Sequence, residues 1–76
     1  MTNEEFISKF AEALEIEDVL NLAAETEFRT LAEWDSLAYL NVIAMLDEEY
    51  DIQIENAEFK KLRTIADIIA YIEKNK

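Results

Sequence analysis

The segment "EWDSLAYLNVIAML", residues 33–46, is the most hydrophobic part of the chain and predicts its central helix. Asp35 is a good N-cap residue, so a helix is predicted from Ser36 to about Tyr50. Apolar side chains that recur with helical spacing fall on one line of a helix and indicate a face packed against a core. The predicted core stripe is Tyr39, Ile43, Leu46 and Tyr50, flanked by Leu40 and Val42. The predicted outward face carries Leu37, Ala38, Asn41, Met45 and Glu48.

Similar patterns predict two further long helices and a short one. A capping-box pattern at Thr2 starts a predicted helix over residues 3–15, and a second such pattern at Thr64 starts a last helix that ends near residues 73–75. A short helix is predicted over residues 56–62. The chain contains no glycine and no proline, which also favours helices.

Residues 16–34 fit neither a helical nor a strand period. The segment is longer than structureless loops in compact domains usually are, so we expect an ordered connection with a short helical turn. The predicted fold is therefore all-α: a small four-helix bundle with three long helices, one short helix and a long loop between the first two. We expect residues 1–76 to form a single domain.

The composition excludes several classes of site. The chain has no histidine and no cysteine, which removes the commonest general base, thiol nucleophiles, disulfides and the usual zinc ligands. Without glycine there is no P-loop, dinucleotide-binding turn or EF-hand loop. We therefore expect no catalytic residue and no metal site.

The charge is strongly acidic and unevenly distributed. The formal net charge is −11, and no basic residue lies between Arg29 and Lys60. Such a surface repels nucleic acid and anionic membranes and attracts proteins with basic patches. No apolar run reaches the roughly 20 residues that span a bilayer, and the N-terminus lacks the basic region of a signal peptide. We expect a monomeric, cytoplasmic protein that does not insert into membranes.

Ser36 is the residue in this segment with distinctive chemistry. A serine hydroxyl is a weak nucleophile unless a base takes its proton, and the chain supplies no histidine for that task. As an acceptor of a group from another enzyme it is better placed, because a phosphate ester is electrostatically favoured in the first turn of a helix. Serine next to an N-cap is also common for purely structural reasons, and "DSL" alone is a weak motif.

The whole pattern resembles an acyl carrier protein. The resemblance covers the length, the acidic balance, the long first loop, "DSL" (residues 35–37) at the head of the second helix and "LDEEYDIQI" (residues 46–54) at its end. It implies that a phosphopantetheinyl transferase attaches 4′-phosphopantetheine from coenzyme A to Ser36. The thiol at the end of this arm would then carry acyl groups as thioesters, in the biosynthesis of lipids, surface glycans or secondary metabolites.

The resemblance also implies partner-recognition roles for surface residues. Enzymes that load and transfer acyl groups would dock through basic patches; the residues implied are Asp35, Leu37, Asn41, Met45, Asp47 and Glu48. Each has a simpler reading as a helix cap, an incidentally exposed apolar side chain or a solvated charge. Trp34 is expected to pack over the helix start and hold the loop, with a role at the transferase surface as the alternative.

Three positions depart from carriers of primary fatty acid synthesis. Those proteins usually have a glycine shortly before the Asp-Ser-Leu, where Glu33 and Trp34 stand here, and acidic residues at the positions of Ala38 and Asn41. The departures suggest a specialised carrier. An aminoacyl carrier of the D-alanyl or peptidyl type shares the fold and the serine and is the nearest alternative. An unmodified acidic adaptor, or ordinary phosphorylation of Ser36, are others.

Overall fold

In the computed structural model, which describes residues 2–75, the chain forms four α-helices and two short 3₁₀ turns. The helices are α1, Asn3–Ala13; α2, Ser36–Tyr50; α3, Asn56–Phe59; and α4, Ile65–Lys74. The turns, Val19–Asn21 and Phe28–Thr30, both lie in the connection between α1 and α2. The predicted all-α fold with three long helices, one short helix and a long first connection is confirmed. α2 has the predicted bounds, whereas α1 and α3 end earlier than predicted.

The helix starts are fixed by side-chain caps. Thr2 Oγ1 accepts a hydrogen bond from the backbone N–H of Glu5 at 3.1 Å, which satisfies a donor that has no partner inside α1. At α4 the capping box is complete: Thr64 Oγ1 accepts from the N–H of Asp67, and the Asp67 carboxylate accepts from the N–H of Thr64, both at 3.1 Å. The carboxylate also accepts from Arg63 N–H at 2.9 Å, and these backbone bonds hold the pKa of Asp67 below its ordinary value.

Two helix ends turn through left-handed residues. Glu15, just after α1, has φ 59°, and Asp51, the C-cap of α2, has φ 54°. The reversal at Glu15 lets the N–H of Ile16 bond to the carbonyl of Ala11 at 2.8 Å, which ends the helix. Glycine is the usual residue at such a position, and a side chain with a Cβ costs about 1–2 kcal/mol there. Since the chain contains no glycine, residues with a Cβ, Glu15 and Asp51, occupy both of these positions.

The core is an aromatic cluster packed against α4. The largest fully buried side chains are Phe6, Phe10, Phe28, Phe59, Leu46, Ile65, Ile68, Ile72 and Val42. Phe28 comes from the long connection, and its ring centroid lies 6.0 Å from that of Phe10 and 5.6 Å from that of Phe59. Fully burying such a side chain contributes about 1.5–3 kcal/mol relative to leaving it exposed. The connection is therefore ordered by the core, as predicted.

Backbone hydrogen bonds also fasten this connection to the start of α4. The N–H of Ile65 donates to the carbonyl of Thr26 at 3.1 Å, and the N–H of Ala66 donates to the carbonyl of Ala24 at 2.7 Å. These are first-turn donors of α4 that lack partners inside the helix.

Across residues 2–75, no helix combines the length and the apolar character needed to cross a membrane.

Candidate functional site

Ser36 is the first residue of α2, and its side chain is exposed. Asp35 precedes it in an extended conformation, with φ −154° and ψ −172°. The Asp35 carboxylate accepts a hydrogen bond from the N–H of Ala38 at 2.8 Å, and its carbonyl accepts from the N–H of Tyr39 at 3.0 Å. Asp35 is therefore the N-cap, as predicted, and it presents the Ser36 hydroxyl to solvent at the helix start.

This position suits an anionic substituent on Ser36. The first N–H groups of α2 have no partner inside the helix, and the 15-residue helix places the positive end of its dipole there. A phosphate ester at Ser36 is favoured by both effects. The chain has no histidine, and residues 2–75 hold no group of three metal-binding side chains.

Trp34 forms the platform beneath the start of α2. Its ring lies nearly parallel to that of Phe10, with centroids 6.4 Å apart and planes at 7°, and to that of Phe59, at 6.1 Å and 9°. Phe28 meets the same ring edge-on at 4.8 Å. The predicted packing of Trp34 over the helix start is confirmed. Its half-buried ring also lines an open depression beside Ser36.

The depression has a volume of about 370 Å³ and extends from Ser36 towards α3. Tyr39 forms one wall: its ring packs edge-on against Phe59 at 5.1 Å, and its hydroxyl donates to Asn56 Oδ1 at 3.2 Å. Lys60 stands at the rim with an exposed side chain and makes no ion pair with a described residue. The lining of the depression thus combines aromatic rings with two basic residues, Arg29 and Lys60, and one acidic residue, Asp35. Sequence reasoning missed this depression, because its parts come from separate segments.

Arg29 is the second cation of the depression, and most of its function is structural. Its guanidinium donates to the carbonyl of Leu62 and, at 2.9 Å, to the carbonyl of Phe59, which lie at and after the end of α3. It also lies over two rings, 5.0 Å from the centroid of Phe28 and 5.4 Å from that of Phe59. Arg29 therefore ties the long connection to α3 and fixes the wall of the depression.

The other side of Ser36 is an exposed strip along α2, called the α2 strip below. It consists of Leu37, Leu40, Asn41, Ala44, Asp47 and Glu48. Leu37 is 65% exposed and Leu40 is 60% exposed, which is unusual for large apolar side chains. The predicted outward positions of Leu37, Asn41 and Glu48 are confirmed. Leu40 was predicted to flank the core and is a correction; stepping three residues along the helix from Leu37 would have found it.

Two residues predicted on the outward face are buried. Ala38 is 4% exposed and Met45 is 9% exposed. The prediction is wrong because α2 is covered on two sides: the aromatic cluster packs on one, and α1 packs on the other, near Ala13. A wider arc of the helix is therefore buried than a single stripe implies. Met45 is therefore not an exposed docking residue. Ala38 is buried too, so the absence of an acidic residue at this position gives no information about the charge of the surface.

Asn41 has a structural contact as well as an exposed position. Its amide Nδ2 donates to the carbonyl of Ala13 at 3.2 Å, so it caps the last residue of α1. At the far end of α2, Glu49 accepts a hydrogen bond from Lys9 of α1, and this bond raises the pKa of Lys9. The acidic end of the α2 strip is thus left to the exposed side chains of Asp47 and Glu48.

Comparisons with known proteins agree with this geometry. The sequence model of a family described as "Phosphopantetheine attachment site" matches residues 4–72. An acyl carrier protein from Exiguobacterium sp. is 34% identical over 76 residues, covering 96% of this chain and 96% of that protein. An acyl carrier protein from Helicobacter pylori is 32% identical over 73 residues, covering 96% and 92%. The meromycolate extension acyl carrier protein of Mycobacterium bovis is 30% identical over 79 residues, covering 97% and 67%.

The family match covers nearly all of the four helices, and the relatives align along nearly all of the chain. Proteins of this kind are carriers and not enzymes, and they bear a covalent 4′-phosphopantetheine group. They work with a phosphopantetheinyl transferase and with enzymes that handle acyl groups. An exposed serine at the head of a capped helix, in a four-helix fold of this length, is what such a protein requires. The chain belongs to the acyl carrier protein family.

Proposed function

We propose that Ser36 is the residue that bears the 4′-phosphopantetheine group. The observation that carries the proposal is the exposed Ser36 hydroxyl in the first turn of α2, capped by Asp35. Coenzyme A is the donor: the Ser36 oxygen bonds to the phosphorus that carries the pantetheine as the bond from that phosphorus to the bridging oxygen breaks. 3′,5′-Adenosine bisphosphate leaves with the bridging oxygen, and the transferase takes up the hydroxyl proton. When bound, the group supplies a thiol that holds an acyl chain as a thioester.

The residues around Ser36 fit this group. The free N–H groups of the first turn of α2 face the position of a phosphodiester. Asp35 keeps its carboxylate occupied with the N–H of Ala38, which directs its charge into the cap. The other serine of the chain, Ser8, lies within α1, where the backbone N–H groups are used by the helix. Ser8 is therefore a matched control for a test of Ser36.

The test is modification of the purified chain, followed by intact mass. Coexpression with a broad-specificity phosphopantetheinyl transferase should add one phosphopantetheine to the wild type and to Ser8→Ala, and none to Ser36→Ala. An unmodified wild type, under conditions that modify another carrier completely, would refute the assignment. Addition to Ser36→Ala would move the site elsewhere. Either an adaptor that is never modified or a simple phosphoserine would give a different mass.

For the cargo, we infer acyl groups of a dedicated pathway in lipid, surface-glycan or secondary-metabolite synthesis. The support is the α2 strip, whose middle is uncharged at Leu40, Asn41 and Ala44, with acidic residues only at its far end, Asp47 and Glu48. The Mycobacterium bovis relative shows by its name that the family includes carriers for one particular extension. Loading the holo form with panels of acyl and aminoacyl substrates, through their activating enzymes, tests the cargo. Efficient loading by an amino acid alone would favour the D-alanyl or peptidyl type.

We propose that partner enzymes dock on the α2 strip, through Leu37, Asn41, Asp47 and Glu48, and on the adjacent Asp35. The chain acts as a monomeric single domain over residues 1–76, in the cytoplasm. Asn41→Glu should raise the affinity for fatty acid synthase enzymes with basic patches, because it adds a charge to the middle of the strip. Gln53→Glu adds the same charge at an exposed position outside the strip and is the control. Equal affinity changes in the two variants would show that net charge alone sets the affinity and that partner enzymes do not recognise the α2 strip.

A further inference from the structure

We propose that the depression beside Ser36 holds the first part of the phosphopantetheine arm. Lys60 is the counter-ion of the phosphodiester, and the rings of Trp34 and Tyr39 lie under the pantoyl methyl groups. This inference rests on the proposed attachment at Ser36. It adds a resting position for the arm, on the α3 side of the helix start.

The order of the groups along the arm supports this assignment. The phosphate is bonded directly to the Ser36 oxygen, and the pantoyl unit with its two methyl groups follows. A depression that begins at Ser36 therefore meets the phosphate first and the methyl groups next. Its lining offers a partner for each group: the basic side chains of Arg29 and Lys60 for the phosphate, and the rings of Trp34 and Tyr39 for the methyl groups. A volume of about 370 Å³ accommodates the start of the arm, and the thiol end stays outside.

The charges around the depression favour an anion there. Although the chain carries a net charge of −11, Arg29 and Lys60, which bracket its longest acidic span, come together at this one place. The guanidinium of Arg29 already donates to the carbonyls of Leu62 and Phe59, so Arg29 acts mainly as a fixed positive charge. Lys60 has no ion pair among residues 2–75 and keeps its donors free. Asp35 also lines the depression, but its carboxylate accepts the N–H of Ala38 at 2.8 Å. A phosphodiester on Ser36 is therefore the anion that we place opposite Lys60.

The aromatic rings are also available. Trp34 is held by near-parallel contacts with Phe10 and Phe59, yet it is only half-buried and lines the depression. Tyr39 is half-buried and held by its bond to Asn56. Rings that are already fixed lose little freedom when they contact methyl groups. The wall is therefore preformed.

The resting position has a consequence for docking. The arm lies towards α3, so the α2 strip with Leu37 and Leu40 stays uncovered for a partner enzyme. A partner that takes the thiol end must draw the arm out of the depression. Since a surface ion pair contributes little, release needs little free energy.

The experiment uses holo protein with an isotope-labelled arm, made from labelled pantetheine. Intact mass first confirms that Ser36 carries the group. NMR then measures contacts between the pantoyl methyl protons and the rings of Trp34 and Tyr39, and the mobility of the arm amides. Emission of Trp34, the only tryptophan, is compared between apo and holo forms. The same set is recorded for Lys60→Gln and for Lys61→Gln.

We expect methyl-to-ring contacts in the wild type, with the amide nearest the pantoyl unit more ordered than the one near the thiol. Lys60→Gln should lower the docked population by up to about fivefold. Lys61→Gln should leave it unchanged, because Lys61 lies outside the lining and contacts Glu58. At about 1 M salt, where screening acts within about 3 Å, the wild type should approach the Lys60→Gln values.

Two results would overturn the inference while leaving the attachment intact. One is an arm on modified wild type that shows no ring contact and uniform high mobility. The other is an equal effect of Lys60→Gln and Lys61→Gln, which would indicate a response to net charge. Failure to modify Ser36 at all would instead refute the proposed function, so the two failures are separable.

Discussion

Asp35 is expected to act in two separable ways, and two substitutions distinguish them. Its carboxylate caps α2 through the 2.8 Å bond from Ala38 N–H, and its charge lies beside Ser36. Asp35→Ala removes both the cap and the charge, whereas Asp35→Asn keeps a residue that caps helices equally well. A loss of stability should therefore follow the alanine, and a loss of transferase recognition should follow both.

The magnitudes come from the geometry of the cap. A cap lost to alanine costs about 1 kcal/mol, which lowers the melting temperature of a domain of this size by about 4–8 °C. Asp35→Asn loses only the interaction of the charge with the helix dipole, about 0.3 kcal/mol at an exposed position. In the transferase complex, a cation opposite Asp35 at about 4 Å in water contributes about 1 kcal/mol. Both variants should thus lose about fivefold in kcat/KM for modification.

The assays are urea unfolding for the free energy and initial rates of modification at low carrier concentration, each at two salt concentrations. Glu73→Gln removes one exposed charge from α4 and controls for net charge. If Asp35→Asn is modified at the wild-type rate, the transferase does not recognise the charge of Asp35, and only the capping role remains. If Asp35→Ala unfolds with the wild-type free energy, the assigned cap does not contribute to stability.

Three further predictions concern stability. Glu15→Gly should stabilise the fold by about 0.5–1 kcal/mol, since glycine relieves the left-handed φ of 59°; urea unfolding measures it, and a loss would contradict the strain argument. Tyr50→Phe should be neutral or stabilising by up to about 1 kcal/mol, because the Tyr50 hydroxyl is buried without a partner among the described residues and burial raises its pKa; clear destabilisation would reveal a missed bond. Asp67 has a lowered pKa in the folded state, so its contribution is present above the ordinary carboxyl pKa of about 4 and is lost as the pH falls through the lowered value. Asp67→Asn should flatten the acid limb of the stability profile measured by thermal unfolding, and an unchanged limb would exclude this carboxyl as its cause.

Local signals in the sequence predicted most of the helices. Caps at Thr2, Asp35 and Thr64 act through bonds to backbone atoms three residues away, so a short window contains the whole interaction. The bounds of α2 followed from this. The early end of α1 was not visible, because Glu15 takes a left-handed conformation that sequence patterns assign to glycine.

The faces of α2 were predicted less well, for a reason that lies outside the helix. A stripe of apolar residues shows which side is most hydrophobic, but it does not show how many neighbours the helix has. α1 covers Ala38 and Met45, while no described element covers Leu40, although leucine is the more hydrophobic of these positions. The number and placement of neighbours depend on the path of residues 16–34, which has no periodic signal.

The depression beside Ser36 lay furthest from prediction, since it joins Arg29, Trp34 and Lys60 from three segments. The sequence did show that no basic residue lies between Arg29 and Lys60, which reads as one acidic field. In the fold, Arg29 and Lys60, which lie at the two ends of this acidic segment, both line the depression beside Ser36. The chain is thus acidic on the whole, whereas two of the three charged residues that line the depression are basic.

This local reversal gives the attachment site a direction. On one side of Ser36 lies the α2 strip, with exposed leucines and acid at Asp47 and Glu48; on the other lie the rings and Lys60. A basic partner is attracted along the strip and repelled at the depression, so electrostatics orients it before contact. The covalent arm, being anionic at its base, is attracted to the opposite side. One serine can therefore carry a group and leave its docking surface free, because the two are separated by charge as well as by position.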